Sequence, residues 1–276
     1  MVLYGIVSDI HGNLEAFCTA VAFLLPRRVD RILCLGDIVG YNAEPDACVK
    51  LLEELQAESV AGNHDLIAAG TLGFERCADR PAFALRRTRQ VLNEESRRAL
   101  EALPHRRVYE DEIVLVHGGV LDVCQYVSTP VRVQENHALM IREIPRARIC
   151  FFGHTHAQKL YEIHKGVASE QAVGEGVELS GPGRTFFVNP GSIDAARKDG
   201  EKLAEFAVFD STRRIVSFYR IPYDHERVER SAAQRGYRMS LAEEQIQRAA
   251  RVARRGKGYA WKRLCRVFPF LTKAEA

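Results

Sequence analysis

The 276-residue sequence holds no apolar run long enough to span a bilayer, which excludes a membrane-spanning helix on the usual length argument. Its start shows no basic stretch leading into a long apolar one, and Asp9 cuts the only candidate short, so no secretory signal is expected. None of the seven cysteines (Cys18, Cys34, Cys48, Cys77, Cys124, Cys150 and Cys265) forms a C-x-x-C pair, and their number is odd. A disulfide framework and a zinc ribbon are both poor readings of that pattern. Cys34 in "ILCLG" and Cys150 in "RICFFG" sit inside apolar runs, as buried free thiols of a reducing cytoplasm would. There is no internal repeat and no low-complexity tract.

What is present is an ordinary globular composition, 46% hydrophobic and 27% charged, with an uneven charge distribution. Of the 39 Lys+Arg and 36 Asp+Glu, residues 227–276 hold 13 and 4, a net +9, which leaves residues 1–226 at −6. This asymmetry predicts two parts, a body over 1–222 and a basic helical appendage over 223–276.

The first half alternates two textures. "VLYGIV", "RILCLG" and "ESVAG" are short apolar runs. Between them "NLEAFCTAVAFLL" (13–25) and "EPDACVKLLEELQ" (44–56) carry apolar residues three and four apart, the spacing of helices packed on a sheet. Strand–helix–strand units of this length predict a parallel sheet with right-handed crossovers, whose ligands gather at the carboxyl ends of the strands. Residues 81–103 and 131–143 read as helices. "EIVLVHGG" and "ARICFFGHTH" read as strands running into histidines. From 157 onward the texture is β, with the Gly-rich stretch 166–184 as a loop or hairpin excursion. Past Pro222 it is helical again. Ser240-Leu-Ala-Glu243 is a capping box opening a helix that Gly256 and Gly258 end.

Five strand ends share one chemistry: Asp9-x-His11, Gly36-Asp37-x-x-Gly40, Gly62-Asn63-His64-Asp65, His117-Gly118-Gly119 and Gly153-His154-Thr155-His156. Each alone has an ordinary structural explanation. Asp9 suits a helix cap, Asp37 a turn, Asn63 a left-handed turn residue, and a lone His117 is more often a hydrogen-bonded core residue. Together they predict a cluster at strand ends along one edge of one sheet. Two Asp, one Asn and several His gathered there are costly to desolvate without compensating charge, which a pair of divalent cations supplies. Carboxylate, amide and imidazole donors suit Mn, Fe, Zn, Co or Ni and suit magnesium's all-oxygen shell less well.

The ordered run "SDIHGNLEA … GDIVGY … GNHD … HGG … GHTH … NPGS" resembles the calcineurin-like metallophosphoesterase superfamily over about residues 1–222, and is most similar to its YfcE-like bacterial phosphodiesterase branch. The resemblance implies a four-layer αββα sandwich. It implies one metal held by Asp9, His11, Asp37 and His156 and a second by Asp37, Asn63, His117 and His154, bridged by Asp37 and a water or hydroxide. Two such cations roughly 3.5–4 Å apart lower the pKa of a shared water and clamp phosphate oxygens. The hydroxide would attack phosphorus while His64 protonates the leaving group, with Asp65 as its orienting partner.

The sequence departs from the pattern in two places. Where the Ser/Thr protein phosphatases of the superfamily read Gly-Asp-x-x-Asp-Arg-Gly, this chain has Gly40, Tyr41 and Asn42. The phosphate-gripping arginine and the carboxylate that steadies the acid histidine are missing, which argues against that class. After Asn-Pro-Gly-Ser, Asp194, Ala195 and Ala196 intervene, so Asn189 and Ser192 read as a structural turn. The expected protein is a cytoplasmic dimetal phosphohydrolase, preferably a phosphodiesterase, acting on a small or nucleotide-like phosphoester. A dinucleoside polyphosphate hydrolase, or a nuclease guided by the basic segment, is the alternative. A non-catalytic scaffold ranks below these because every ligand position is intact. Substrate-binding residues, a nucleic-acid partner and a homo-oligomer are left open.

Overall fold

In the computed structural model, residues 2–195, 200–240 and 243–244 are described. Met1–Tyr237 forms one compact unit and Arg238–Ala276 a second.

The first unit contains two six-stranded sheets. One is built around β1 (Leu3–Val7), β2 (Arg31–Cys34) and β3 (Glu58–Ser59), three parallel neighbours. Between them run α1 (Leu14–Leu24) and α2 (Pro45–Glu54). After β3 come α3 (Asn63–Ala69), α4 (Asp79–Val91) and α5 (Glu94–Glu101). The second sheet opens with the hairpin of β4 (Arg106–Tyr109) and β5 (Ile113–Val116), and α6 (Pro130–Glu143) leads to β6 (Ile149–Phe151). The antiparallel ribbon β7 (Gln158–His164) and β8 (Val167–Gln171) follows, then β9 (Val177–Glu178) and β10 (Arg184–Pro190). The chain returns to the first sheet in β11 (Leu203–Asp210) and β12 (Ile215–Pro222), and ends the unit with α7 (His225–Gln234). Strand order is β3-β2-β1-β11-β12-β9 in the first sheet and β4-β5-β6-β10-β7-β8 in the second.

Three apolar clusters define the layers. Phe17, Leu24, Cys48 and Leu52 pack α1 and α2 on the outer face of the first sheet. Tyr4, Ile6, Leu33, Leu115, Phe151, Val188 and Phe209 fill the space between the sheets. Val114, Cys150, Tyr161 and Phe187 meet Val133 and Met140 of α6 on the outer face of the second. Alternate residues of β1 therefore serve different cores: Ile6 faces the opposite sheet and Val7 faces the helices, as the two-residue period of a strand requires. The αββα sandwich is present.

Among the described residues, parallel pairing is confined to β3-β2-β1 and β5-β6-β10, and the remaining ladders are antiparallel. The predicted cluster is accordingly not on one edge of one sheet. Its loops leave the carboxyl ends of parallel strands in both sheets and meet across the sandwich. The predicted helix over 81–103 is two helices, because Leu92 is extended and Asn93 caps α5 by accepting from Ser96 N at 2.8 Å. In the Gly-rich excursion 166–184, β8 and β9 join different sheets.

The compact unit continues past Pro222. Arg227 pairs with Glu15 at 3.2 Å, and Ala232 and Tyr237 bury against Ala43 and Ala84. In the second unit the capping box forms: Ser240 N donates to Glu243 Oε2 at 2.8 Å and Glu243 N to Ser240 Oγ at 3.2 Å. The basic helix expected beyond it lies outside the described residues. No described helix is long and apolar enough to cross a membrane.

Candidate metal centre

The backbone of the strand-end loops knits them together. Asp9 N donates to Gly36 O, His11 N to Asp37 O and Gly12 N to Ile38 O, joining the loops after β1 and β2. Gly153 N donates to His117 O in the second sheet, and Ile193 N and Asp194 N reach Ser8 O and Asp9 O across the sandwich. Five of the side chains of interest stand on left-handed backbone: Asp9, His11 and Asp37 at φ 53°, His154 at 64° and His156 at 58°. Such conformations cost about 1–3 kcal/mol each and persist where surrounding structure enforces them.

Asp9, His11, Asp37, Asn63, His64, Asp65, His117, His154 and His156 are all buried. Each of the two aspartates spends one oxygen on its surroundings. Asp9 Oδ2 accepts from Ser8 Oγ at 2.6 Å and His154 N at 3.1 Å, and Asp37 Oδ1 accepts from His64 N at 2.8 Å. The other oxygen faces imidazoles. Asp9 Oδ1 lies 3.1 Å from His156 Nε2, and Asp37 Oδ2 lies 3.3 Å from His117 Nε2, 3.7 Å from His11 Nε2 and 4.0 Å from His64 Nε2.

Tautomers follow from the backbone. His117 Nδ1 is 2.7 Å from Leu35 O and His11 Nδ1 is 3.3 Å from Val39 O. A carbonyl only accepts, so Nδ1 of both rings carries a proton and Nε2 is the nitrogen turned inward, free to ligate once it is unprotonated. His11 Nε2 and His156 Nε2 stand 3.0 Å apart. Two imidazole lone pairs at that distance repel unless a proton or a cation lies between them. Among the described residues, Asp9 Oδ1, Asn63 Oδ1, His117 Nε2 and His154 Nε2 are buried without hydrogen-bond partners, although buried polar atoms are ordinarily satisfied. The ligand-type atoms group as Asp9–His11–His156, His11–Asp37–His64 and Asp37–His117–His154. Hard and borderline donors with bare lone pairs around two carboxylates fit a pair of divalent cations.

Without cations the protons redistribute. Burial alone would lower His117, but the Asp37 and Asp9 charges outweigh it and lift this imidazole to about 9. Burial, reinforced by positive His117, drops His154 to about 4. His11 and His64 are also lowered, burial being the main cause. For Asp37 burial works the other way, yet the surrounding imidazoles hold its carboxyl well below the usual range.

Asp65 departs from its expected role. Its Oδ1 accepts from Ile38 N at 2.8 Å and Val39 N at 3.2 Å, and its Oδ2 from Gly62 N at 2.9 Å. It ties the Asp37 loop to the start of α3 and does not hold His64, whose buried Nδ1 has no hydrogen-bond partner. Gly40 explains why no other carboxylate does so. A Cβ there would lie 2.4 Å from His64 Nδ1, so the ring occupies the space of any side chain at that position. Asn63 and His64 also belong to the first turn of α3 rather than to a loop.

Asp194 and the Asn-Pro-Gly-Ser block complete the support. Asp194 Oδ1 accepts from Asn13 Nδ2 at 2.8 Å and Asn42 Nδ2 at 2.9 Å, bracing the loops after β1 and β2. Ser192 Oγ donates to Asp9 O at 3.0 Å, and Asn189 Nδ2 donates to Gly153 O at 2.8 Å. Asn-Pro-Gly-Ser is thus a brace behind the centre, consistent with its reading as a structural turn.

A family model of the calcineurin-like phosphoesterase superfamily domain matches residues 2–214. The chain belongs to that superfamily. As a superfamily member it is similar to the crystal structure of a metallophosphoesterase from Sphaerobacter thermophilus, with TM-score 0.70, 29% identity, and 85% of this chain and 94% of that one covered. A hypothetical protein from Pyrococcus horikoshii OT3 shares the fold at TM-score 0.63 and 18% identity, with 83% and 92% covered. An uncharacterized protein of Methanocaldococcus jannaschii is 29% identical over 232 residues, 80% of this calcineurin-like chain and 88% of the relative.

Proposed function

We propose that this chain is a dimetal-dependent phosphodiesterase acting on small phosphoesters. In this reading Asp9, His11, Asp37 and His156 hold one cation, and Asp37, Asn63, His117 and His154 hold the other, with Mn²⁺ the first candidate. When bound, the two ions supply an activated water and neutralise the charge of the phosphoryl group. The observation that carries the reading is the set of buried ligand-type atoms without hydrogen-bond partners among the described residues, Asp9 Oδ1, Asn63 Oδ1, His117 Nε2 and His154 Nε2, converging from both sheets.

The protein's own residues then have distinct tasks. The Ser8 hydroxyl and the backbone N–H groups of His154 and His64 fix the rotamers of Asp9 and Asp37, so that one oxygen of each stays inward. The Nδ1 bonds of His11 and His117 fix their tautomers. His64 is the residue left for proton transfer. Its backbone is anchored on Asp37, its Nδ1 is unengaged, and an entering phosphate would supply the negative charge that favours its protonated form. Tyr41, in the place of the protein phosphatases' arginine, packs on His11 and His64 at ring distances of 4.5 and 5.1 Å. That replaces a cationic phosphate grip with an aromatic side chain.

The test is hydrolysis of bis-p-nitrophenyl phosphate and p-nitrophenyl phosphate with Mn²⁺, Fe²⁺, Zn²⁺, Co²⁺ or Ni²⁺ added, beside elemental analysis. Asp37→Ala is expected to lose both metal and turnover. His64→Ala should keep its metal while turnover falls about 10²–10⁴-fold, the usual worth of a positioned acid or base. Purified protein that hydrolyses neither ester with any of the metals would overturn the reading.

A further inference from the structure

One large aromatic side chain on the rim of the centre stands out of the fold's ordinary economy. Tyr126 is 48% exposed, yet its ring lies 4.1 Å, centroid to centroid, from that of His154 at 37°. Leu121, in the same loop, is 58% exposed. Exposed apolar side chains usually sit on mobile tips, but this loop is pinned at every turn. Gly119 N and Gln125 N both donate to Asp122 O, and Cys124 N donates to Asp122 Oδ1 at 3.0 Å. Arg76 clamps the Asp122 carboxylate with two bonds of 2.7 and 2.9 Å. Asn136 of α6 donates to Gln125 Oε1 and accepts from Val120 N.

The two glycines after His117 have their explanation here. A Cβ on Gly118 would lie 2.4 Å from Val123 O, and one on Gly119 would lie 2.1 Å from Gln125 Oε1. They let residues 120–126 fold back tightly enough to set Tyr126 on the His154 ring. Across the imidazole cluster, Tyr41 presents a second aromatic side chain.

A rigid, half-exposed ring fixed on a candidate metal ligand is a preorganised surface, and binding to it costs little ordering entropy. Flat rings stack on such a surface through dispersion and their π faces. Resting on the phosphodiesterase reading above, we propose that Tyr126 is a specificity-determining platform. It selects phosphoesters whose ester group carries a flat ring, a nucleobase or a simple aryl group, close to the phosphate.

The test measures binding by calorimetry to the full-length protein with Mn²⁺ added, using thymidine 5′-phosphate, phenyl phosphate and ethyl phosphate. Wild type is expected to bind the two ringed phosphates more tightly. Tyr126→Leu should raise their Kd roughly 5- to 100-fold, the range for loss of one stacking partner. Tyr126→Phe should restore them, and the Kd of ethyl phosphate should stay within twofold throughout. A response from thymidine 5′-phosphate alone narrows the platform's ligand to a nucleobase, and a response from both ringed compounds widens it to any aryl group. Equal binding of all three by wild type, binding of none, or an equal loss for all three in Tyr126→Leu would overturn the proposal. The last result would make Tyr126 a prop for His154. Ring-dependent binding without hydrolysis of either p-nitrophenyl ester would sustain the platform and sink the hydrolase reading instead.

Discussion

At the scale of single residues, the centre is a contest for protons that a cation would win. His117 is the clearest case. In the absence of cations its imidazolium is stabilised by Asp37 and Asp9 up to about pH 9. Its folded pKa is raised, so the stability from that ion pair is complete below the ordinary histidine value near 6.5 and fades as pH rises through about 9. Coordination needs the same Nε2 bare, so metal uptake at neutral pH must expel a proton. We expect calorimetry in two buffers of different ionisation enthalpy to detect proton release at pH 7. Apparent metal affinity should climb up to about tenfold per pH unit between 7 and 9, then level off. Uptake at pH 7 with no proton released would contradict this account of His117.

At the scale of elements, α3 is the piece whose placement matters most. It spans only Asn63–Ala69, and all seven of its residues are buried. Its first turn delivers Asn63 and His64 to the centre, and Asp65 locks that turn to the loop after β2. Burial and the nearby Asp37 charge push the Asp65 carboxyl up to about 7, against the pull of its amide donors. Asp65→Ala would leave the amides of Ile38, Val39 and Gly62 buried without acceptors, and each such group costs about 1–3 kcal/mol. We expect a clear fall in thermal midpoint together with weakened metal binding. Had Asp65 been an orienting partner of His64, the same change would lower turnover at full metal occupancy. Thermal melts paired with elemental analysis separate the two.

At the scale of the whole molecule, the centre exists only because two sheets face each other. The first sheet contributes Asp9, His11 and Asp37, with Asn63 and His64 from the helix that follows β3, and the second contributes His117, His154 and His156. The cluster between the sheets, including Ile6, Leu33, Leu115 and Phe151, fixes their spacing. Met1–Tyr237 forms one compact unit, and it holds all four buried clusters found among the described residues. Ending the chain at Tyr237 should therefore leave the thermal midpoint within a few degrees and preserve turnover of bis-p-nitrophenyl phosphate. Loss of oligonucleotide turnover alone in that truncation would assign the basic segment to nucleic-acid guidance. Collapse of the fold would show that the body depends on the second unit.

The sequence by itself determined which residues are the candidate ligands. Apolar runs ending in Asp, His and Asn named every candidate ligand, because the strand period and the glycine-flanked ends are local properties. It also determined the αβ textures on either side of the sandwich, for the same reason. Only the tertiary structure decided that the ligand loops belong to two sheets. Run length and periodicity do not reveal which strands pair or in which layer they lie. It alone turned Asp65 from a partner of His64 into a tie between loops, since both roles suit an acid in the first turn of a helix and only its distances to Ile38, Val39 and Gly62 choose between them. Asp194, which braces Asn13 and Asn42 from more than 150 positions away along the chain, and Tyr126, which rests on His154, carry no local pattern at all. Their roles arise from contacts that form only when distant segments have already been brought together.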